Sequence, residues 1–164
     1  MSEAKHLAES LVKLLTDPQG GWFTPASVAL EGLGAVEAAK VPGQGFNSVW
    51  SVVNHMTYWQ EYLLHRLRGE KEHSWGQTSK GSWQTLRQPY LEHEWIADRE
   101  SLFATNKVLA AVVDSFSDEE LTQPYAEDRA ERYLVIQGII AHNCYHTNEI
   151  ISIRHMLGFW LKKT

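Results

Sequence analysis

The chain has 164 residues, of which 43% are hydrophobic and 21% charged, so its size and composition predict one globular domain over residues 1–164. The formal net charge is −5, no run of lysine and arginine could follow a phosphate backbone, and no stretch approaches the roughly 20 apolar residues of a membrane span, so neither nucleic acid nor membrane is an expected partner. Because Cys144 is the single cysteine and the N-terminus lacks an apolar signal segment, we expect a cytoplasmic protein.

Helical periodicity dominates the sequence, and strand-type alternation is nearly absent, which predicts an all-α fold. A stripe of four leucines predicts the first helix over Ala4–Leu15. Thr24 and Pro25 resemble an N-cap and a first helical residue, and they predict a second helix over Ala26–Lys40. Two glycines inside this segment weaken its helical propensity.

A longer helix is predicted to begin after Asn47 or Ser48, which are N-cap candidates, and to end at Arg68, before Gly69. Its inward stripe comprises Val49, Val52, Val53, Met56, Leu63 and Leu67. The segment Glu70–Pro89 is polar and contains scattered glycine, serine and tryptophan residues, which predicts a long connection across one end of a bundle.

Two further long helices are predicted, over Tyr90–Phe116 and Glu131–Leu157. Between them, Ser117 and Glu120 have the spacing of a capping box and predict a short helical turn. The inward stripe of the last helix comprises Val135, Ile139, His142, His146, Ile150, Ile153 and Leu157. Two histidines therefore occupy positions that would otherwise belong to the core.

His142 and His146 are four residues apart, which puts both rings on one face of the last helix. Imidazole nitrogens bind zinc and also suit nickel, copper and iron, so the pair supplies half of a metal site. His55 lies among the inward residues of the helix that ends at Arg68, and it is the candidate third ligand. From the residues alone, hydrogen-bonded core histidines and an exposed pair remain alternatives, because a pair at this spacing also arises by chance among eight histidines.

Three residues near the pair are candidates for supporting roles. Glu149, one turn beyond His146, is the candidate catalytic residue: it can act as general base, as fourth ligand, as an acceptor that orients a histidine ring, or remain an ordinary solvated carboxylate. Asn143 is a weaker candidate for an orienting contact. Cys144 points away from the midpoint of the pair, and we expect a packed, inert thiol. The other five histidines lie in the long connection, near helix ends or too far along their helices to join the same ion.

Two segments carry a family resemblance: residues 47–59, NSVWSVVNHMTYW, and residues 141–150, AHNCYHTNEI. Together with the order of predicted helices from about Leu7 to Leu157, they resemble the DinB/YfiT-like family of metalloproteins. The resemblance implies a four-helix bundle with a long crossover connection. In that family, one histidine of the second bundle helix and a His-x-x-x-His pair of the last helix bind a divalent ion. This implies His55, His142 and His146 as the ligands here.

Characterised members of the family are thiol transferases or isomerases. The resemblance therefore implies one divalent ion, with nickel or zinc ahead of iron or manganese, and a low-molecular-weight thiol as co-substrate. We expect a metal-dependent transferase or hydrolase, in which the ion activates a thiol or water for attack on a small electrophile. The alternatives are a non-catalytic bundle that binds a metal or ligand in a structural or stress-related role, and a metal-free interaction module. Some relatives dimerise, so a homodimer is a further expectation.

Overall fold

The fold is helical throughout the part of the chain that the computed structural model describes, which is residues 2–19, 22–70, 82–126 and 129–159. Within these ranges there are seven helices and no strand. In chain order they are α1 (Glu3–Thr16), α2 (Ala26–Ala29), α3 (Ala35–Ala38), α4 (Val49–Leu67), α5 (Glu92–Asp114), α6 (Asp118–Leu121) and α7 (Arg132–Met156). The four long helices, α1, α4, α5 and α7, form a bundle, which confirms the predicted all-α fold.

The order of helices around the bundle is α1, α5, α4 and α7, because each of these helices packs against the next and α7 also packs against α1. Two hydrogen bonds between α4 and α5 show the relative direction of these helices. Trp50 Nε1 donates to Asp98 Oδ2 at 2.6 Å, and Asn106 Nδ2 donates to Gln60 Oε1 at 2.8 Å. The sequence numbers rise together along α4 and α5, so these two neighbouring helices are parallel.

Parallel neighbours require a connection that returns along the bundle. Two parallel helices joined between Leu67 and Glu92 are the arrangement expected from the long crossover that the family resemblance implied. Residues 82–89 of this connection are non-helical, in agreement with the prediction, and α5 begins at Glu92, two residues after the predicted start. Residues 71–81, the rest of the polar segment with its tryptophan, glycines and serines, lie outside the described residues.

Local capping explains where the long helices begin and end. Ser48 is the N-cap of α4, as predicted, and its hydroxyl accepts from the backbone N–H of Ser51 at 3.1 Å. Gly69 ends α4 with a φ of +72°, a left-handed conformation that glycine adopts without steric cost. The predicted capping box is also present, because Ser117 caps α6 and its backbone N–H donates to Glu120 Oε2 at 2.8 Å.

The single helix predicted over Ala26–Lys40 is wrong. The segment forms α2 and α3, which are four residues each, and Pro25 rather than Thr24 is the N-cap of α2. Gly32 between them has a φ of +70°, whereas a continuous α-helix needs a φ near −63°. The helix therefore breaks at Gly32, one of the two glycines that weakened the predicted helix.

Arg154 of α7 fills this break. Its guanidinium Nη1 donates to the carbonyl oxygens of Ala29 at 2.5 Å and Glu31 at 2.9 Å, and its Nε donates to the Phe159 carbonyl at 3.1 Å. The side chain is only 5% exposed. In a continuous helix the carbonyls of Ala29 and Glu31 would bond to amides four residues later, so the break supplies the acceptors that a buried arginine needs.

The core consists of two apolar clusters at different levels of the bundle. One surrounds the N-terminal halves of α4 and α5 and includes Met56 and Leu102, and the other surrounds their C-terminal halves and includes Leu63 and Leu109. Buried polar side chains lie near the boundary between them; they are His55, Gln60, Asn106, Asn143, His146 and Thr147. The candidate site thus lies near the middle of the bundle.

Candidate metal centre

Three histidines from two neighbouring helices meet near the middle of the bundle. His55 comes from α4, and His142 and His146 come from one face of α7. One ring nitrogen of each lies within 4.8 Å of the others, and this group of three can hold a metal ion. The ring centroids of His142 and His146 are 4.4 Å apart, and that of His55 is 5.2 Å and 4.6 Å from them. The structure thus brings together the three residues that the sequence singled out.

The outer nitrogens of two rings already have acceptors. His55 Nδ1 lies 3.2 Å from the Ser82 carbonyl, and His146 Nδ1 lies 2.7 Å from Glu149 Oε2. In the neutral rings these contacts favour a proton on Nδ1, which leaves the lone pair on Nε2, although the tautomers are inferred from the contacts. Both histidines are 6% exposed, so they are held in a defined orientation.

The spacing of the inner nitrogens fits a divalent ion. His55 Nε2 and His142 Nε2 are 3.3 Å apart. Two nitrogen ligands of a tetrahedral zinc ion, each bonded at about 2.0–2.1 Å, would be separated by about 3.3 Å. The three-imidazole donor set and the spacing of this one pair are therefore compatible with a histidine-ligated metal site.

The electrostatic environment favours the neutral form of His55 and His142. Burial, together with the neighbouring His146 and His55, lowers the pKa of His142 to about 4. Burial is also the main cause that lowers the pKa of His55 below its ordinary value, and His146 adds to the effect. The neutral ring is the form that ligates a metal ion, so little proton displacement at these two residues is needed near pH 7.

Glu149 is held on both sides. Its Oε2 accepts from His146, as described above, and its Oε1 accepts from Asn47 Nδ2 at 2.9 Å. Asn47 precedes the N-cap of α4, so this contact joins the start of α4 to α7 across the site. Of the roles predicted for Glu149, the acceptor that orients a ring is the one these contacts favour. Sequence reasoning considered Asn47 only as a cap candidate and missed its bond to Glu149.

The crossover also contributes to the site through two adjacent residues. The carbonyl of Ser82 accepts from His55, and the indole of Trp83 stacks on the same imidazole with centroids 3.8 Å apart and planes at 12°. Trp83 is 42% exposed, so its other surface faces solvent. Sequence reasoning missed both residues, and the only hint was a tryptophan within an otherwise polar connection.

The family model for the DinB superfamily matches residues 4–150. The chain belongs to the DinB superfamily. Among curated proteins and among solved structures, no match was found. The family match runs from α1 into the last turns of α7 and includes all three histidines, which confirms the family that the two sequence segments indicated.

The remaining candidates of this DinB chain lie outside the histidine cluster. Cys144 is half-buried and burial raises the pKa of its thiol, which supports the predicted inert packing. Asn143 is buried in the bundle, and its role in orienting a histidine stays a prediction. His65 is at the far end of α4, where its Nδ1 contacts Glu70 Oε2. His73 lies outside the described residues.

No helix within the described ranges of this DinB protein is long and apolar enough to cross a bilayer.

Proposed function

We propose that this protein is a metal-dependent enzyme of the thiol S-transferase type, which joins a small electrophile to a low-molecular-weight thiol or to water. His55, His142 and His146 would hold one divalent ion, for which nickel and zinc are the first candidates. Such an ion lowers the pKa of a thiol or water that binds it, and so supplies a nucleophile near neutral pH.

The observation that supports the proposal is the composition of the cluster. Among the described residues, the group contains three imidazoles and no cysteine or carboxylate as a fourth member. Structural zinc sites have four protein ligands, whereas catalytic sites have three and keep a position open for water or substrate. A three-histidine set therefore favours an open, reactive site over one that only stabilises the bundle.

The other side chains of the site would position the ligands. Glu149 accepts from His146 Nδ1 and is itself fixed by Asn47, so both of its oxygens are engaged. We assign it a positioning role, because one of its two hydrogen bonds comes from a candidate metal ligand and the other ties it to the start of α4. The Ser82 carbonyl plays the corresponding part for His55. Such contacts fix the tautomer and raise the basicity of the ligand nitrogen.

The metal site is tested by elemental analysis of protein purified without a nickel column. We expect near one equivalent of a transition metal in the wild type and almost none in His55→Ala or in the double variant His142→Ala plus His146→Ala. His93→Ala is the matched control, because His93 is exposed at the start of α5, outside the cluster, and should leave the metal content unchanged.

Catalysis is tested by offering the metal-loaded protein low-molecular-weight thiols together with alkyl and aryl electrophiles, and following thiol consumption. Turnover that is lost in the metal-free protein and in His142→Ala would support the proposal. If the loaded protein left every pair unchanged while the metal raised its thermal stability, the proposal would be wrong, and the ion would have a structural role.

A further inference from the structure

A pocket of about 210 Å³ lies between α4 and α7, and His142 is part of its wall. Its other lining side chains are aromatic or aliphatic; they include Trp59, Tyr62, Leu63, Val135 and Ile139. Trp59 connects the pocket to the histidine cluster, because its ring centroid is 6.2 Å from that of His55 and 6.5 Å from that of His142. A molecule in this pocket would therefore lie beside the candidate ligands.

Gly138 lines the same pocket, one helical turn before His142. A glycine inside a helix is about 1 kcal/mol less favourable than alanine. Neither close packing nor backbone conformation requires it, because a Cβ at this position would meet no heavy atom within 4 Å and φ is not positive. Gly138 is exposed, and its missing side chain leaves the pocket open to solvent beside His142, where a larger side chain would narrow it.

The size and lining of the pocket indicate what it can hold. A cavity of about 150 Å³ lined by aliphatic and aromatic residues is large enough for benzene. The volume of 210 Å³ is thus sufficient for one six-membered aromatic ring with a short substituent. Tyr125 completes the lining, and its backbone N–H donates to the Ala130 carbonyl at 3.3 Å.

We propose that this pocket binds the aromatic ring, or an equally compact apolar group, of the electrophilic substrate and so holds the reactive atom beside the histidine cluster. That the bound molecule is a substrate rests on the proposed function. The binding of an aromatic ring requires neither turnover nor a metal ion, so the two proposals can fail separately.

The first experiment measures binding of fluorobenzene to the full-length, chelator-treated protein by ¹⁹F NMR line broadening. We expect the wild type to bind this probe with a dissociation constant of about 1 mM, which is reasonable for a ligand of seven heavy atoms. Gly138→Leu fills the space and should weaken binding at least tenfold. Gln137→Leu adds the same side chain at an exposed neighbouring position and should bind like the wild type.

Gly138→Ala controls for folding, because alanine favours the helix and its Cβ has room. This variant should melt at a higher temperature than the wild type and still bind the probe. Absence of broadening with the wild type, or equal broadening with Gly138→Leu, would overturn the proposal that this pocket binds an aromatic ring.

A second experiment loads the protein with cobalt(II), whose unpaired electrons relax a nearby fluorine nucleus. Strong relaxation of bound fluorobenzene, absent with zinc, would place the ring beside the cluster, and its absence would overturn that placement. Where turnover of benzyl chloride with a thiol is observed, Gly138→Leu should raise KM at least tenfold, and an unchanged KM would overturn the assignment to substrate. Probe binding without any turnover would count against the proposed function and leave the pocket established.

Discussion

The indole of Trp83 and the imidazole of His55 lie almost parallel, with centroids 3.8 Å apart and 12° between their planes. The two residues come from different segments, one from the crossover and the other from α4. Their stacking limits rotation of the His55 ring while its Nδ1 contacts the Ser82 carbonyl. The orientation of the His55 ring therefore depends on the crossover, which supplies both its hydrogen-bond acceptor, Ser82, and its stacking partner, Trp83.

Trp83→Ala should weaken metal binding about 2- to 10-fold, because an aromatic stack contributes about 0.5–1.5 kcal/mol beyond the area it buries. The affinity can be measured by competition with a chromophoric chelator. Trp22→Ala is the control, since Trp22 is fully exposed and should have no effect. An unchanged affinity in Trp83→Ala would show that the stack does not orient His55.

Glu149→Ala should weaken metal binding about 10- to 100-fold, which is the usual effect of removing an acceptor that orients a ligand histidine. Asn47→Ala should act in the same direction with a smaller effect, because it releases only one side of the carboxylate. Glu100→Ala, at an exposed position of α5, serves as the control in the same titration. If Glu149→Ala abolished turnover but kept wild-type metal affinity, the carboxylate would be the catalytic base and not a positioning group.

Arg154→Leu should lower the free energy of unfolding by about 3 kcal/mol, because two backbone carbonyls in the break before α3 and one after α7 lose a charged donor. Arg154→Lys should recover only part of this loss, since one ammonium cannot reproduce the fork of the guanidinium. The free energies of unfolding of both variants can be measured by urea unfolding followed by circular dichroism. Arg87→Ala is the control, because Arg87 is exposed. A loss below about 1 kcal/mol in Arg154→Leu would contradict the structural role assigned to it.

Glu61→Gln should stabilise the protein near neutral pH. Burial raises the pKa of Glu61 above its ordinary value, and the nearby His65 only partly offsets this. The folded protein therefore holds this proton more tightly than the unfolded chain, and the associated stability is complete below pH 4.5 and is lost as the pH rises through the raised pKa. The gain in melting temperature of Glu61→Gln over the wild type should increase from pH 4 to pH 7.

The pH series needs a control in which the carboxylate is exposed. Glu100→Gln meets this condition and should show nearly the same difference from the wild type at both pH values. If the advantage of Glu61→Gln were constant across the series, or larger at pH 4, the raised pKa would not be the cause.

Local patterns explain the success of the fold prediction. The stripes of α1, α4 and α7 and the caps at Ser48 and Ser117 are encoded within a few residues, and the structure reproduces them. The single helix predicted over residues 26–40 is wrong, because Gly32 takes a left-handed conformation that ends a helix. The Ala29 carbonyl at this break accepts a hydrogen bond from Arg154, more than a hundred residues later in the chain, and a contact over that distance leaves no local signal.

The site was predictable only in part for the same reason. The spacing of His142 and His146 is local, but the third histidine is 87 residues from His142 and was assigned with the help of the family resemblance. The contact between Asn47 and Glu149 spans 102 residues of the chain, and no local sequence pattern predicts it. Long-range contacts of this kind become visible only when α4 and α7 are placed side by side.

The parallel arrangement of α4 and α5 also sets a lower limit on the length of the crossover. A helix of 19 residues is about 28 Å long, and an extended chain needs about eight or nine residues to return over that distance. Residues 68–91 provide 24, so the connection is long enough to tolerate shortening. Below the limit, α5 could no longer reach its place beside α4 of the same chain, and the equivalent surface would be available only on a second molecule. Severe shortening should therefore favour a domain-swapped dimer in which two chains exchange α5, α6 and α7.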